Sequence, residues 1–401
     1  MENDYKKREN WLFPEVNPYI DKDDFREAFE FLKAEVSNTP PSSPIVVNFS
    51  GGKDSLACLA LAEKVKEELN DNRELIILTS LTGYEDFFFN NWFKYLKKAL
   101  FPRFNWLTVK PPLIVSYSVE TLGLGKPPIE MPQMSQCNGR WKQAPLDFAY
   151  KLIPKNRVEV CGIRGEESPK RAERLIRYGR VSYFCSKYLT SPLGYISTPT
   201  LWAWLEKELF KYTGVEFAKL QEYYKYKKRD GCWLCRYNKT KENLTPFQAW
   251  VQDFNKKVWS ERTEGGYYKQ LEINNYQQMK YKRLKLNDYT TATIRAPLSW
   301  RKKWLKEVLE AECFYNETFL TKTHLDLIRE IWAYSERYKN DFGELAGMAH
   351  WNHYKNDYIK YMINPYLRSL AFEEKTLKDG KKIDVVKKGE LVFYNKIDRK
   401  L

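Results

Sequence analysis

Histidine is nearly missing, with 3 residues in 401. Three imidazoles leave little for a His-rich metal centre, and no Ser/His/Asp context points to acyl transfer. His350-Trp351-Asn352-His353 has a metal-like spacing, but no cysteine or carboxylate pair flanks it closely, so it reads as a surface or core pair. His324 reads as a residue at a helix N-terminus. Long apolar runs are also missing: nothing approaches the ~20 residues of a membrane helix, and Met-Glu-Asn-Asp-Tyr-Lys-Lys is no signal segment. A cytoplasmic protein with no membrane partner is the expectation. Cysteine is sparse. The seven (Cys58, Cys137, Cys161, Cys185, Cys232, Cys235, Cys313) are too few to staple a chain this long, and their spacing suits metal or redox chemistry. No internal repeat is evident.

Positive charge is abundant and unevenly placed. Lysine and arginine outnumber aspartate and glutamate 67 to 52, a net of +15. Residues 1–100 carry 13 basic and 18 acidic side chains (13 − 18 = −5), residues 101–300 carry 34 and 18 (34 − 18 = +16), and residues 301–401 carry 20 and 16 (20 − 16 = +4). A basic middle block mixed with aromatics, which make up 16% of the chain, suits a polyanionic partner such as nucleic acid. A Lys-rich solvated surface is the plain alternative.

The chain divides by pattern into a helical preamble (1–41), a long alternating segment (42–240), a helical segment (241–372) and a basic tail (373–401). In the alternating segment, strands are expected near 45–49, 75–79, 106–109 and 158–163. Helices are expected near 56–69, 87–100, 145–153 and 168–178. This alternation predicts an α/β fold with a doubly wound parallel sheet, followed by a mostly helical C-terminal domain. Ligands of such sheets lie beyond the carboxyl ends of the strands. Thr198-Pro199 and Thr245-Pro246 each pair a helix cap with a proline suited to the first turn, and Ser299 is expected to cap a further helix. The apolar stripe Leu325, Ile328, Ile331 and Trp332 reads as core. The tail adds a strand-like Leu391-Val392-Phe393-Tyr394.

Ser50-Gly51-Gly52-Lys53-Asp54-Ser55 lies between the first expected strand and helix. Two glycines let backbone approach a phosphate, amides and a helix N-terminus supply positive potential, and Lys53 adds a mobile charge. Asp54 in such a place needs a cation or Lys53 to balance it, which fits a magnesium–nucleotide complex. Thr82-Gly83-Tyr84-Glu85-Asp86 follows the next strand at the same sheet edge. Gly162-Ile163-Arg164-Gly165-Glu166-Glu167-Ser168-Pro169-Lys170-Arg171 follows a later strand. There Arg164 and Arg171 can grip phosphate in a forked geometry, and Glu167 can orient an arginine or cap a helix. A structural salt-bridge cluster is the alternative.

Cys232-Trp233-Leu234-Cys235 lets two sulfurs converge on one metal or cluster. A second pair is needed from Cys137, Cys161 and Cys185. Cys185 is preferred because Cys161 falls inside a strand expected to be buried. Three thiolates with an open iron, or a structural zinc site, remain as alternatives. Cys58 shares the apolar face of its helix, and Cys313 stands alone near a helix end.

The 50–55 segment resembles the PP-loop (Ser-Gly-Gly-x-Asp-Ser) of the ATP pyrophosphatase superfamily, which has an adenine nucleotide alpha hydrolase-like fold. The 162–171 segment is similar to that superfamily's Gly-x-Arg-x-x-Glu-Ser-x-x-Arg. Cys137-Asn138-Gly139-Arg140-Trp141-Lys142-Gln143-Ala144-Pro145 and Arg229-Asp230-Gly231-Cys232-Trp233-Leu234-Cys235 resemble blocks of the DndC family of DNA phosphorothioation proteins. Asn138 stands where cluster-bearing sulfate-nucleotide reductases have a second adjacent thiolate. Similarity to the DndC family also extends over 295–311 and 320–332. The resemblance implies an ATP pyrophosphatase and sulfurtransferase that binds ATP and Mg2+ through Ser50, Gly51, Gly52, Lys53, Asp54, Ser55, Thr82, Gly83, Arg164 and Glu167. Lys53, Asp54, Arg164 and Arg171 would be catalytic. A [4Fe-4S] cluster would sit on Cys137, Cys185, Cys232 and Cys235, with Zn2+ as the alternative. It further implies DNA as the partner, a cysteine desulfurase as sulfur donor, and other phosphorothioation-complex subunits. A tRNA-thiolating enzyme and a phosphoadenylyl-sulfate reductase-like enzyme are the alternatives. The reductase chemistry uses a C-terminal nucleophilic cysteine, and here no cysteine follows Cys313.

Overall fold

The computed structural model describes residues 25–111, 116–123, 125, 138–184, 187–226, 232–234, 244–264, 298–337, 372–376 and 382–386. Cys137, Cys185, Cys235, His350, His353 and the strand-like 391–394 segment lie outside the described residues.

The first described helix is α1 (Phe25–Ser37). Then follow β1 (Ile45–Asn48), α2 (Lys53–Leu69), β2 (Leu75–Ser80), α3 (Phe87–Leu100) and β3 (Asn105–Val109). Two π-turns (Val119–Gly123 and Asn138–Gln143) lead to α4 (Ala144–Leu152), β4 (Val158–Cys161) and α5 (Pro169–Tyr178). The hairpin β5 (Val181–Phe184) and β6 (Lys187–Thr190) completes the sheet. Its order is β3-β2-β1-β4-β6-β5, parallel except for β5, which pairs antiparallel with β6 at the edge. The alternation of apolar runs and helices thus gives the expected α/β sheet. The closing hairpin is an addition that the alternating pattern does not announce.

β1 and β2 are buried at every position except their last residues, as sheets covered on both faces require. Ile45, Val47, Leu75 and Ile77 join the main core with Leu56, Leu59 and Val65 of α2. α6 (Thr198–Thr213) adds Leu201, Leu205 and Leu209 to it. Its cap is Ser197, whose side chain accepts from the Thr200 amide, so Thr198 is the first helical residue rather than the cap. α7 (Phe217–Tyr226) follows. Among the described residues the helical part comprises α8 (Pro246–Glu264), α9 (Leu298–Tyr315) and α10 (Lys322–Arg337). Thr245 and Gln248 exchange side-chain and amide hydrogen bonds at 3.2 Å, a capping box at the start of α8. Ser299 falls inside the first turn of α9, because that helix already begins at Leu298.

These helices share a core of Phe254, Val258, Trp304, Val308, Ile328 and Ile331. Val119 and Leu122, from the stretch that belongs by sequence to the α/β part, pack into the same core. Arg301 donates to the Gly123 carbonyl at 2.6 Å and the Trp332 indole to the Leu122 carbonyl at 2.9 Å. β7 (Phe372–Thr376) and β8 (Lys382–Val386) form a separate two-stranded ribbon. No described helix is long and apolar enough to cross a membrane.

Candidate functional site

The chain leaves β1 for β2 on one side and later returns through β4 on the other. The carboxyl ends of β1 and β4 therefore flank a topological switch point, the crevice where ligands of open α/β sheets bind. The 50–55 loop leaves β1 there and the 162–167 segment leaves β4 beside it.

Gly51 takes φ +82°, a left-handed turn that glycine adopts without strain. Gly52, extended, then opens α2. The Ser55 hydroxyl donates to the Gly52 carbonyl at 2.9 Å and accepts from the Ser50 amide at 3.3 Å, tying the loop across its base. The Trp92 indole of α3 donates to the Gly51 carbonyl at 2.8 Å. From α7, the Tyr224 hydroxyl accepts from the Lys53 amide at 3.0 Å. Gly162 lets the end of β4 approach from behind: a Cβ there would lie 2.8 Å from the carbonyl carbon of Asp54 and 3.0 Å from its oxygen.

The Asp54 carboxylate is balanced by two cations. Lys53 Nζ lies 2.8 Å from one oxygen and Arg164 Nε 2.5 Å from the other. Arg164 is 2% exposed. Its remaining donors go to Glu166 at 2.8 Å, the Ile196 carbonyl at 2.9 Å and the Thr198 hydroxyl at 3.0 Å. Arg164 thus stands behind the loop as a buttress that fixes Asp54 and the start of α6. Arg171, in the first turn of α5, is more exposed and pairs with Glu167. Glu167 also accepts from the Arg164 amide at 3.3 Å, and Ser168 caps α5. Both oxygens of the Asp54 carboxylate are thus engaged by side-chain cations of the chain itself.

In the turn after the neighbouring strand β2, Gly83 has φ +85°. Glu85 accepts from the Thr82 amide at 2.5 Å, the Thr82 hydroxyl at 2.7 Å and the Gly83 amide at 2.9 Å. The donors assigned by sequence to a nucleotide are thus spent, in this conformation, on an internal carboxylate. The cysteine motif docks onto the same turn. Glu85 and Cys232 form an antiparallel bridge, and the Trp233 amide donates to the Tyr84 carbonyl at 2.8 Å. The π-turn that follows Cys137 arrives there as well: the Ser80 hydroxyl donates to the Lys142 carbonyl at 3.1 Å. Tyr84 lies 5.6 Å from Trp141 and 6.0 Å from Trp233, ring to ring. Burial pushes the Tyr84 phenol up to about 12.

Cys232 is therefore buried in an aromatic, water-poor pocket, which suits a thiolate-bound cluster. Of the four cysteines assigned to the cluster, Cys232 alone lies among the described residues, with Cys161 as the other described candidate, and among the described residues no group of three metal-binding side chains occurs. Phe184 pairs with Lys187 at the amino end of the parallel sheet, away from Cys232; Cys185 itself is outside the described residues. Cys161 and Cys58 are buried, and burial pushes both thiols up. Cys161 Sγ lies 3.2 Å from the Ser191 hydroxyl, while Cys313 is exposed.

Sequence reasoning missed Trp92, Tyr224 and the anchoring role of Glu85. Trp92 carries the ordinary signature of a core residue on an amphipathic helix, and Tyr224 sits in a basic, Tyr-rich run with no motif.

Residues 44–237 match the family described as Phosphoadenosine phosphosulfate reductase domain, somewhat under half of the chain. The matched stretch opens one residue before β1 and closes two residues after Cys235. Among solved structures, the chain is similar to the phosphoadenylyl-sulfate (PAPS) reductase from Candida auris in its phosphate complex. The identity is 14%, covering 52% of this chain and 89% of that one, with a TM-score of 0.37. No curated protein matches.

Proposed function

We propose that the chain is an ATP pyrophosphatase and sulfurtransferase that activates a DNA backbone phosphate with ATP and replaces one of its oxygens by sulfur. The observation that carries this reading is the placement of the 50–55 loop at the β1–β4 switch point, with the Cys232 segment docked on the adjacent turn after β2. Phosphate activation and thiol chemistry then share one sheet edge.

In the proposed reaction a non-bridging oxygen of the DNA phosphate attacks the α-phosphorus of ATP, and the bond to the β-phosphate oxygen breaks, releasing pyrophosphate. An external thiol reductant reduces the donor's persulfide sulfur by two electrons to hydrosulfide, which attacks the DNA phosphorus of the adenylylated intermediate. The P–S bond forms as the P–O bond to AMP breaks, and AMP leaves carrying that oxygen. Lys53, at the mouth of the loop, offsets charge growing on the departing pyrophosphate. Ser50, Gly51, Gly52 and Ser55 shape the cradle, and Arg164 keeps Asp54, and through it Lys53, in register. Thr82 and Gly83 hold Glu85 and with it the turn on which Cys232 rests. A [4Fe-4S] cluster on Cys137, Cys232 and Cys235, its fourth iron left open because the residues flanking Cys185 lie at the opposite end of the sheet, would carry sulfur supplied by a cysteine desulfurase; structural Zn2+ is the alternative. α5 begins beside the site with Lys170, Arg171, Arg174 and Arg177; Arg171 and Arg177 pair with Glu167 and Glu173, and the remaining positive charge suits a polyanion whose affinity falls with salt. Further complex subunits are expected partners.

A reductase of phosphoadenylyl sulfate is favoured by the family match alone. Anaerobic purification with iron analysis, followed by pyrophosphate release assays with DNA, tRNA or no polymer, separates these readings. Iron together with DNA-stimulated pyrophosphate release supports the proposal. tRNA-stimulated release moves the substrate to tRNA. Sulfite formed from phosphoadenylyl sulfate and a thiol reductant, without ATP cleavage, overturns the sulfurtransferase.

A further inference from the structure

Lys53 meets Tyr224 twice. Its amide donates to the Tyr224 hydroxyl at 3.0 Å, and its ammonium lies 5.8 Å from the centroid of the same ring. One side chain from α7 therefore touches both the backbone and the charge of the residue that faces the phosphates. Tyr224 is itself held on two sides. It packs edge-on against Trp202 of α6 (5.3 Å, 90°) and against Tyr223 (5.5 Å, 84°). Tyr223 stacks on Trp92 (5.0 Å, 14°), and Trp92 donates to the Gly51 carbonyl. The circuit closes from Gly51 through Trp92, Tyr223 and Tyr224 back to Lys53. At the start of α7, the Glu216 amide donates to the Tyr95 hydroxyl at 2.9 Å, tying that helix to α3. Both ends of the glycine turn are thus clamped by one aromatic ladder.

We propose that Tyr224 is a positioning residue for nucleotide binding, setting Lys53 through its amide and its ammonium together. This rests on the phosphate-loop reading above. Loss of the hydroxyl releases the Lys53 amide, and loss of the ring releases the ammonium from its quadrupole.

The test is equilibrium titration of the full chain with Mg·ATP, for Tyr224→Phe and Tyr224→Leu, each with Lys53 intact and with Lys53→Ala. Tyr224→Phe is expected to weaken binding about fivefold, from one neutral hydrogen bond. Tyr224→Leu is expected to cost a further threefold or so, from the ring–ammonium contact. That second step should vanish in the Lys53→Ala background, where no ammonium remains. A Phe-to-Leu step of equal size in both backgrounds marks mere packing and overturns the proposal, as does wild-type affinity in Tyr224→Phe. Tyr224→Phe keeps the packing volume, so that arm decides even where Tyr224→Leu fails to fold. Lys53→Ala binding ATP as tightly as the wild type is a separate result: it overturns the phosphate-loop reading itself.

Discussion

Replacing Arg164 by methionine distinguishes a buttress from a phosphate ligand. The guanidinium is 2% exposed and bonds Asp54, Glu166, the Ile196 carbonyl and Thr198. Removing one partner of a buried ion pair costs on the order of 3–5 kcal/mol, because the other charge stays behind unpaired. Here the stranded carboxylates retain some solvent, with side chains of Asp54 and Glu166 exposed by 16% and 35%. Screening reduces the expected loss to about 2–4 kcal/mol. At ~2–4 °C per kcal/mol for a domain of this size, the melting midpoint should fall by roughly 4–16 °C. Calorimetric melting without nucleotide is the assay. Arg171→Ala is the control: its side chain is 42% exposed and pairs with Glu167 at the surface, so stability should change by under ~1 kcal/mol. If Arg164→Met melts within a degree or two of the wild type and only loses ATP affinity, the buttress argument is wrong and the guanidinium serves the ligand.

Gly162→Ala should displace the Asp54 backbone, because the added Cβ would meet it at 2.8 Å. A cost of about 1–3 kcal/mol in melting experiments is expected, with weakened ATP binding; wild-type values for both would contradict the close approach. His324 sits at the third position of α10, and its Nδ1 faces the Thr321 amide at 3.1 Å while the Thr321 hydroxyl accepts from the His324 amide at 3.3 Å. Burial lowers its pKa to about 4 from 6.5, so the neutral form supports the fold above pH 6.5 and that support, roughly 3 kcal/mol, is lost as pH falls toward 4. His324→Gln keeps the reciprocal cap and should flatten the pH dependence of the melting midpoint across that window. Cys232→Ser should remove iron from anaerobically purified protein; unchanged iron content would exclude it as a ligand.

The sheet was legible because its strands are short β-branched runs separated by amphipathic helices, and the turn glycines mark the loops at their ends. β5 and β6 were not, since Val181–Thr190 lacks a Gly or Asn turn signal and its strands alternate poorly. The loop's local chemistry could be read from Ser50 to Ser55, and Asp54's need for a balancing cation was evident. That Arg164 would supply that balance from 110 residues away was not, because it depends on the β1–β4 pairing register. The Cys-x-x-Cys segment was visible as a metal motif, yet its docking on Glu85 depends on a bridge across some 150 residues that leaves no trace in local pattern. Tyr224 and Trp92 were invisible for the same reason: each acts on the loop through tertiary contact alone.

The most direct test of the account is the product of ATP cleavage by the purified chain in the presence of DNA. Chromatography of α-labelled and γ-labelled ATP should give AMP from the first and pyrophosphate from the second in equal amount, and Lys53→Ala should abolish both. ADP and inorganic phosphate as products, or AMP formation that survives Lys53→Ala, would contradict the assignment of the 50–55 loop.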